Sequence, residues 1–474
     1  MTQQTSDDLL GAFDKAGLTR RYWVTITLLV LQEMFEFFDF FVVGYLVAVL
    51  APRWHLTYGE SGMMLLGAGL GAIFGALIFG RLADVFGRRS LTIIGGFVVA
   101  LGAGLLALIP EDSWILFSLL RIIVGFGLGG AIAAQTPYTV EITPTRYRTF
   151  ISSALVAPAS LGILIAAVLS HQLLPVIGWR GLAAMGCIPG LIALGLLFVM
   201  PESTRWLLSR DRFDEARAAA ARQMGVAFDS LPLPAAKPQT PPPAPLSDLL
   251  KNRRAFWLIV ITWFGMSTTT YGYQLWGPTI LSIILHIPVR DVAGYFVYVG
   301  IAGFARRFVF SALPVWIGRR HSGEIMGWGA AILILAAGIF RSDFVEGVPA
   351  FVICLTGAAI FINGGFSNMG PYAAESYPVG LAARATGLAQ GVNGVGKMLG
   401  PLILALIAGT SNVVAPKATE SAVLPAFAFL AACSLAAGLA YTLLPIETHG
   451  RALTIKGEAD HPALPVDRVK QATT

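Results

Sequence analysis

Charge is scarce in this chain. Only 13% of its 474 residues are Asp, Glu, Lys or Arg, about half the share of an ordinary soluble domain. Cysteine is scarcer still: Cys187, Cys354 and Cys433 are the whole set, each inside an apolar stretch. An odd number so placed argues against a disulfide framework or a cysteine-rich metal site, and the three read as small packing residues. The six histidines form no His-Glu-x-x-His string and no Cys/His ligand cluster. Ahead of Trp23 there are Asp7, Asp8 and Asp14 but no short apolar core and no Ala-x-Ala site, so no cleavable leader is expected.

Two strings imitate enzyme motifs and fail on context. Gly391-Val392-Asn393-Gly394-Val395-Gly396-Lys397 fits G-x-x-x-x-G-K, yet Met398 replaces the required Ser or Thr and no strand precedes it. Gly125, Gly127 and Gly130 match G-x-G-x-x-G, which close helix packing explains better. No catalytic constellation emerges, so neither an enzyme nor a cofactor is expected.

What fills the chain instead is apolar: 55% hydrophobic residues, 52 glycines and a mean hydropathy of +0.70. A helix needs about 20 residues to cross a hydrocarbon core of about 30 Å. Twelve stretches qualify, at 23–50, 61–83, 90–110, 114–138, 150–174, 180–200, 255–285, 292–317, 322–340, 348–372, 383–409 and 423–445. Backbone polar groups in lipid must be satisfied internally, and these runs lack the alternation of barrel strands. The fold class is therefore all-α integral membrane, with twelve transmembrane helices.

Lysine and arginine set the orientation, because cytoplasmic loops are enriched in them. With the N-terminus inside, Lys15, Arg20, Arg21, Arg81, Arg88, Arg89, Arg146, Arg148, Arg319, Arg320, Arg384, Arg451 and Lys456 share one side. The other side holds Arg53, Arg180, Arg290, Arg341 and Lys417. Both termini are thus expected in the cytoplasm and the protein in the inner membrane. This asymmetry explains the sequence pI of about 9.3 without a nucleic-acid partner. The expected organisation is a six-helix bundle at 1–200, a cytoplasmic linker at 201–254, a second bundle at 255–445 and a cytoplasmic tail at 446–474. Within the linker, Asp211 to Arg217 starts a short charged helix and Pro232 to Pro245 is a flexible proline-rich stretch. Leu246 to Arg254 reads as an amphipathic surface helix or a solvated connector.

The halves repeat. Gly87-Arg88-Arg89 after span two recurs as Gly318-Arg319-Arg320 after span eight, 231 residues on. Pro137-Tyr138-Thr139-Val140-Glu141 recurs as Pro371-Tyr372-Ala373-Ala374-Glu375, 234 residues on, and Glu202 and Glu447 are 245 apart. Near-constant offsets between two six-helix units indicate a parallel internal repeat, two pseudo-symmetric six-helix bundles.

Gly80-Arg81-Leu82-Ala83-Asp84-Val85-Phe86-Gly87-Arg88-Arg89 resembles the signature of the major facilitator superfamily. In that superfamily the cluster latches the cytoplasmic gate, which implies gating roles for Asp84, Arg88 and Arg89. The second copy departs from it, with Val315 where Asp84 would stand. Arg121 to Gly129 and Pro201-Glu202-Ser203-Thr204-Arg205-Trp206-Leu207 resemble sugar-porter segments. Phe35-Glu36-Phe37-Phe38-Asp39-Phe40-Phe41 is similar instead to metabolite:proton and aromatic-acid:proton symporters, which carry carboxylate-bearing nutrients. Glu141, Arg148, Glu202, Glu375 and Arg384 lie at cytoplasmic helix ends and are expected in gate salt bridges.

Charges inside spans cost roughly 2.5–3.5 kcal/mol on insertion scales and tend to face a cavity or a partner. Gln32, Glu36 and Asp39 recur at i, i+4 and i+7, so they share a face of span one, expected to line the cavity; Glu33 lies about 100° away. Asp39 is the first candidate proton carrier and Glu36 the second. Arg121 resembles the family arginine that pairs with a span-one carboxylate, so protonation of Asp39 would break an ion pair; a fixed structural pair is the alternative. Gln390, Asn393 and Lys397 share a face of span eleven, and Arg306 and Arg307 fall mid-span eight, where the first half has Gly75 and Ala76. These cations suit an anionic substrate, or they neutralise neighbouring acids. Tyr271, Gln274 and Trp276, in a glycine- and proline-bearing span seven expected to be broken, offer aromatic walls and hydrogen bonds. Asn363, with Phe366 and Ser367, would complete the pocket.

The expected function is proton-coupled uptake of a small aromatic or aliphatic organic acid by alternating access. The expected partners are that small molecule, protons and the lipid bilayer, with a monomer sufficing. The alternatives are a sugar or polyol proton symporter, a cation or drug:proton antiporter attracted by Glu33, Glu36 and Asp39, and a sensor that binds without transporting.

Overall fold

The computed structural model describes residues 6–147, 151, 157–232, 246–377 and 379–443. Spans one to four are the helices Arg20–Arg53, Tyr58–Phe86, Arg88–Leu106 and Trp114–Ile142. A capping box starts the second: Thr57 caps Glu60 N–H while the Glu60 carboxylate accepts the Thr57 N–H. Spans five and six run through Ala157–Ala184, the short turn Met185–Cys187 and Ile188–Val199. They part at Gly178, whose φ of 65° turns the chain without an intervening loop.

Span seven is Arg253–Leu285, and the helix Val289–Ile339 holds spans eight and nine, divided at Gly318. Spans ten to twelve are Ala350–Glu375, Val379–Ala408 and Pro416–Leu443. Among the described residues, nine stretches are long and apolar enough to cross a membrane. One of them, 158–199, holds two spans; the more polar spans seven and eight complete the twelve.

The repeat is visible in the backbone. Gly87 (φ 98°, ψ 153°) and Gly318 (φ 82°, ψ 164°) make the same turn, which a side chain would strain. The arginine after each turn reaches the glutamate of the repeated Pro-Tyr segment: Arg88 to Glu141 at 3.2 Å, and Arg319 to Glu375 at 2.6 Å.

Span seven is not broken. It stays helical across Pro278, and its glycines serve packing: a Cβ on Gly265 would lie 2.2 Å from the Cys433 carbonyl oxygen of span twelve. Glycines of the Arg121–Gly129 segment act likewise, with a Cβ on Gly125 meeting the Ala68 carbonyl at 2.0 Å. The expected surface helix at 246–254 is a 3-10 turn, Leu246–Lys251, followed directly by span seven.

The segment after span six folds back on the first bundle. Leu9, Leu10 and Phe13 of the N-terminal helix Ser6–Lys15 pack with Trp206, Leu207, Leu208 and the alanines of helix Phe213–Met224. Asp14 pairs with Arg205 at 3.3 Å, and Trp206 Nε1 donates to the Asp84 carbonyl.

Two membrane faces are distinguishable: the basic face, with the Gly87 and Gly318 turns, and the far face. On the far face the halves are zipped. Tyr58 N–H donates to the Asn412 carbonyl (2.9 Å), Gly59 N–H to Thr410 (3.0 Å) and Val414 N–H to Leu56 (3.0 Å). These bonds make an antiparallel bridge between Thr57 and Val413. Beneath it the Tyr58 hydroxyl bonds Thr419, and its ring packs on Trp276. Spans two and eleven touch from Gly62–Ala405 through Gly69–Lys397 to Ile73–Gly394. Beyond that they part: a Cβ built at Gly80, Gly387 or Gly391 meets nothing within 4 Å. Among the described residues, the contacts between spans two and eleven thus close the far face and stop short of the basic face.

Candidate substrate and coupling site

Span one carries the chemistry on two faces. Gln32, Glu36 and Asp39 face into the first bundle, against spans three, four and six. Gln32 Nε2 donates to Glu36 Oε1 (2.8 Å) and to the Thr92 carbonyl (3.3 Å), and Gly96 and Pro189 wall it in. The expectation that this face lines the central cavity is corrected. Substrate contact by Gln32 has no geometry here, because its side chain is fully buried between helices. Amphipathic spacing identifies a shared face; it does not say which neighbour the face meets.

Asp39 and Arg121 form the innermost pair. Arg121 Nη1 donates to Asp39 Oδ2 at 2.6 Å and Nη2 to the Asp39 carbonyl at 3.0 Å, at 0% and 1% side-chain exposure. Charge is tolerable there because each ion supplies the other's missing solvation. Among the described residues Arg121 Nε, Glu36 Oε2 and Gln32 Oε1 have no hydrogen-bond partner, so polar capacity is left beside the pair.

The adjoining face of span one, about 100° round the helix, meets the second bundle. Glu33, Phe37 and Phe40 follow at i, i+4 and i+7. Phe41 stacks on Tyr271 at 5.6 Å with a 4° interplanar angle, and Phe40 meets the same ring edge-on. Lys397, 8% exposed, stands among these rings, its Nζ 5.8 Å from the centre of Phe37, 5.6 Å from Phe40 and 5.4 Å from Tyr271. Cation–π attraction is worth about 0.5–2 kcal/mol, well short of an ammonium's hydration. Among the described residues no carboxylate oxygen comes within 4.0 Å of Lys397. The phosphate-loop-like string that ends on Lys397 lies inside span eleven.

The other expected pocket residues divide. Tyr271 belongs to the cage. Trp276 is fully buried, its Nε1 donating to the Pro401 carbonyl at 3.0 Å, so it belongs to the far-face closure. Gln274 donates to Tyr273 Oη at 3.1 Å. Asn363 links the halves, accepting from Ser160 Oγ at 3.2 Å, and Asn393 accepts from Ser267 Oγ at 2.8 Å. Phe366 packs on Trp263, and Ser367 donates to the Asn363 carbonyl. Arg306 and Arg307 are in the helix, but their side chains lie outside the described residues.

At the basic face Asp84, 69% exposed, pairs with Arg88 four residues on. Glu141 bonds Arg88 and the Ser203 hydroxyl. Glu202 accepts the backbone N–H groups of Arg88 (3.1 Å), Arg89 (3.2 Å) and Ser203 (2.8 Å), while burial raises its carboxyl above the usual range. Arg89 donates to the Met200 carbonyl. All these contacts lie within the first bundle and the start of the linker that follows it. Arg384 makes no ion pair among the described residues; Arg148 and Glu447 lie outside them.

Sequence reasoning missed Gln135, whose amide donates to Glu33 Oε2 at 3.2 Å, and the Phe37–Phe40 cage. The i, i+4, i+7 pattern from Glu33 was the available signal.

Twelve helices in two repeated bundles, parted on one face around a central cation and a buried ion pair, define a transporter of the major facilitator type, not an enzyme. The chain belongs to the sugar (and other) transporter family, whose profile matches residues 24–456. It is 27% identical over 406 residues to a niacin transporter of Acinetobacter baylyi, covering 84% of this chain and 90% of that one. It is 27% identical over 436 residues to a 4-hydroxybenzoate transporter of the same organism (86% and 90%), and 27% over 414 to a gallate transporter of Pseudomonas putida (84% and 88%). The fold is also that of the xylose transporter of E. coli in a partially occluded inward-open conformation. The TM-score is 0.67 at 17% identity, over 91% of this chain and 99% of that one.

Proposed function

We propose that this chain imports a small carboxylate-bearing metabolite together with a proton, by alternating access. The observation that carries the reading is Lys397. It is a buried cation at the junction of the halves, walled by Phe37, Phe40 and Tyr271, with no carboxylate within hydrogen-bond reach among the described residues. A ligand carboxylate supplies the missing counter-charge, and a flat ring stacks on the aromatic walls. Relatives named for niacin, 4-hydroxybenzoate and gallate support that choice.

Asp39 is the proposed proton carrier: protonation neutralises the carboxylate, loosens its hold on Arg121 and lets the first bundle repack, with Glu36 as a second buried acceptor. The Arg88, Arg89, Glu141 and Glu202 cluster and the Arg319–Glu375 pair act as gate elements, and 201–254 joins the halves. The excess of arginine on the basic face supports an inner-membrane orientation with both termini cytoplasmic, so the conformation described is inward-facing.

The test is uptake into liposomes of labelled aromatic and aliphatic carboxylates, sugars and organic cations, with and without an acid-outside gradient. The reading requires concentrative, gradient-dependent uptake of a carboxylate, lost in Lys397→Gln. Movement of a sugar or cation with carboxylates ignored overturns it.

A further inference from the structure

We infer that Ser267 fixes the side-chain amide of Asn393 with an N–H left for the ligand, and so makes the site select a carboxylate over the corresponding carboxamide. The inference rests on the carboxylate reading of the site and deepens it, giving a specificity role to a span-seven hydroxyl that touches no substrate.

Spans seven and eleven meet in two successive rungs. At the first, the Tyr271 ring stands 5.4 Å from the Lys397 ammonium. Ser267 lies four residues before Tyr271 and Asn393 four before Lys397, so each is one helical turn away on the same face. At this second rung Ser267 Oγ donates to Asn393 Oδ1 at 2.8 Å. Residues one turn apart carry Cβ atoms about 5–6 Å from each other, near enough for an ammonium and an amide to share one carboxylate.

The hydroxyl sets the orientation of the amide. Ser267 is fully buried, and Asn393 is its one hydrogen-bond partner among the described residues. Its single hydrogen must find an acceptor or be left unpaired in the interior. The atom it meets is therefore the amide oxygen, and the nitrogen takes the other side. There Nδ2 donates to Gln390 Oε1 at 3.2 Å, which leaves its second hydrogen uncommitted among the described residues. Unlike Ser267, Asn393 is only half-buried. It lies at the level where spans two and eleven begin to part: Gly394 still meets Ile73, whereas a Cβ at Gly391 meets nothing within 4 Å.

Two donors one turn apart, an ammonium and an amide N–H, match a carboxylate, which only accepts. A carboxamide sets its own NH2 against one of them. An unrestrained asparagine would answer by turning its oxygen round, and the Ser267 bond opposes that turn. Ser267 is a positioning residue in this account.

The experiment measures Kd for 4-hydroxybenzoate and niacin, and for the carboxamide of each, with purified full-length wild type, Ser267→Ala and Asn393→Asp. Wild type is expected to prefer the acids. Ser267→Ala, which frees the amide to turn, should shrink the acid-over-amide preference about tenfold. In Asn393→Asp the Ser267 bond survives while an oxygen replaces the donor, so acid affinity should fall by about tenfold or more. A merely structural Ser267 would weaken acid and amide alike. An unchanged preference in Ser267→Ala therefore overturns the inference, as does acid affinity retained by Asn393→Asp. Failure of the functional reading looks different, because wild type then binds no carboxylate. In that case melting of ligand-free Ser267→Ala, Asn393→Ala and the double variant decides. A double loss well short of the sum upholds the Ser267–Asn393 lock on which the inference stands, and additive losses overturn it.

Discussion

Arg121 grips Asp39 twice, by its carboxylate at 2.6 Å and by its main-chain carbonyl at 3.0 Å. The second contact means that protonating the side chain loosens the pair without freeing the arginine entirely. Arg121 can therefore stay docked on span one while its charge becomes available.

Removing one member of a buried pair costs about 3–5 kcal/mol, because the other charge is left without compensation. Arg121→Met should therefore lower the unfolding temperature in detergent markedly. Asp39→Asn combined with Arg121→Met should fall well short of the sum of the single losses. Additive losses would show that the two side chains are not energetically coupled. Asp39→Asn alone should abolish gradient-driven accumulation while sparing exchange, and accumulation at the wild-type level would remove Asp39 as the coupling site.

The far-face zipper must open for substrate to enter from that side. Thr57 and Val413 are directly paired across it, at a spacing that suits a disulfide. Thr57→Cys with Val413→Cys, oxidised, is expected to cut uptake at least tenfold, with recovery on reduction. Uptake unaffected by complete cross-linking would mean that the seam never opens.

Glu111 gives the far face a pH dependence of known sign. Trp54 Nε1 donates to it at 2.7 Å, Arg180 at 2.6 Å and Arg53 at 3.2 Å, and these bonds hold its carboxyl below the usual carboxylate range. The folded-state value is depressed, so the stabilisation is present above the ordinary value of about 4.3 and is lost as pH falls through the lower folded value. The site is over a third exposed, so the contribution is about 1 kcal/mol or less. Melting of wild type and Glu111→Gln between pH 6 and 3 should converge on acidification; a constant gap would assign the effect to shape rather than charge.

At the basic face Gly87 is expected to tolerate no side chain. Its φ of 98° is strained for any other residue, and an added Cβ would meet Glu202 Oε2 at 2.1 Å. Gly87→Ala should cost about 1–3 kcal/mol by the backbone alone. Gly80→Ala, where a Cβ meets nothing within 4 Å, should melt like wild type. Equal melting of the two variants would refute this account of the turn.

The twelve spans, the internal repeat and the Asp39–Arg121 pairing were all legible in the sequence, each for its own reason. Span length follows from bilayer thickness, and a repeated glycine turn leaves a repeated motif. A costly intramembrane charge points toward a partner, and the family resemblance is what named Arg121 as that partner. The linker was half legible: Asp211 to Arg217 announced the helix Phe213–Met224, but nothing local announced its packing with Leu9 and Phe13. Span seven misled for the opposite reason. Gly272 and Pro278 look like breakers on paper, while neighbouring helices use the missing Cβ atoms as room for close approach.

What the sequence determined by itself is whatever the solvent imposes on one helix at a time: an apolar run of sufficient length, a basic edge, a polar face at helical spacing. Only the tertiary structure decided which face of span one meets which bundle. Periodicity assigns Glu33 and Glu36 to different faces without saying where either points. Packing puts the Gln32, Glu36 and Asp39 face inside one half, whereas the face one residue on carries Phe37 and Phe40 to Lys397 of the other half, across the interface that moves.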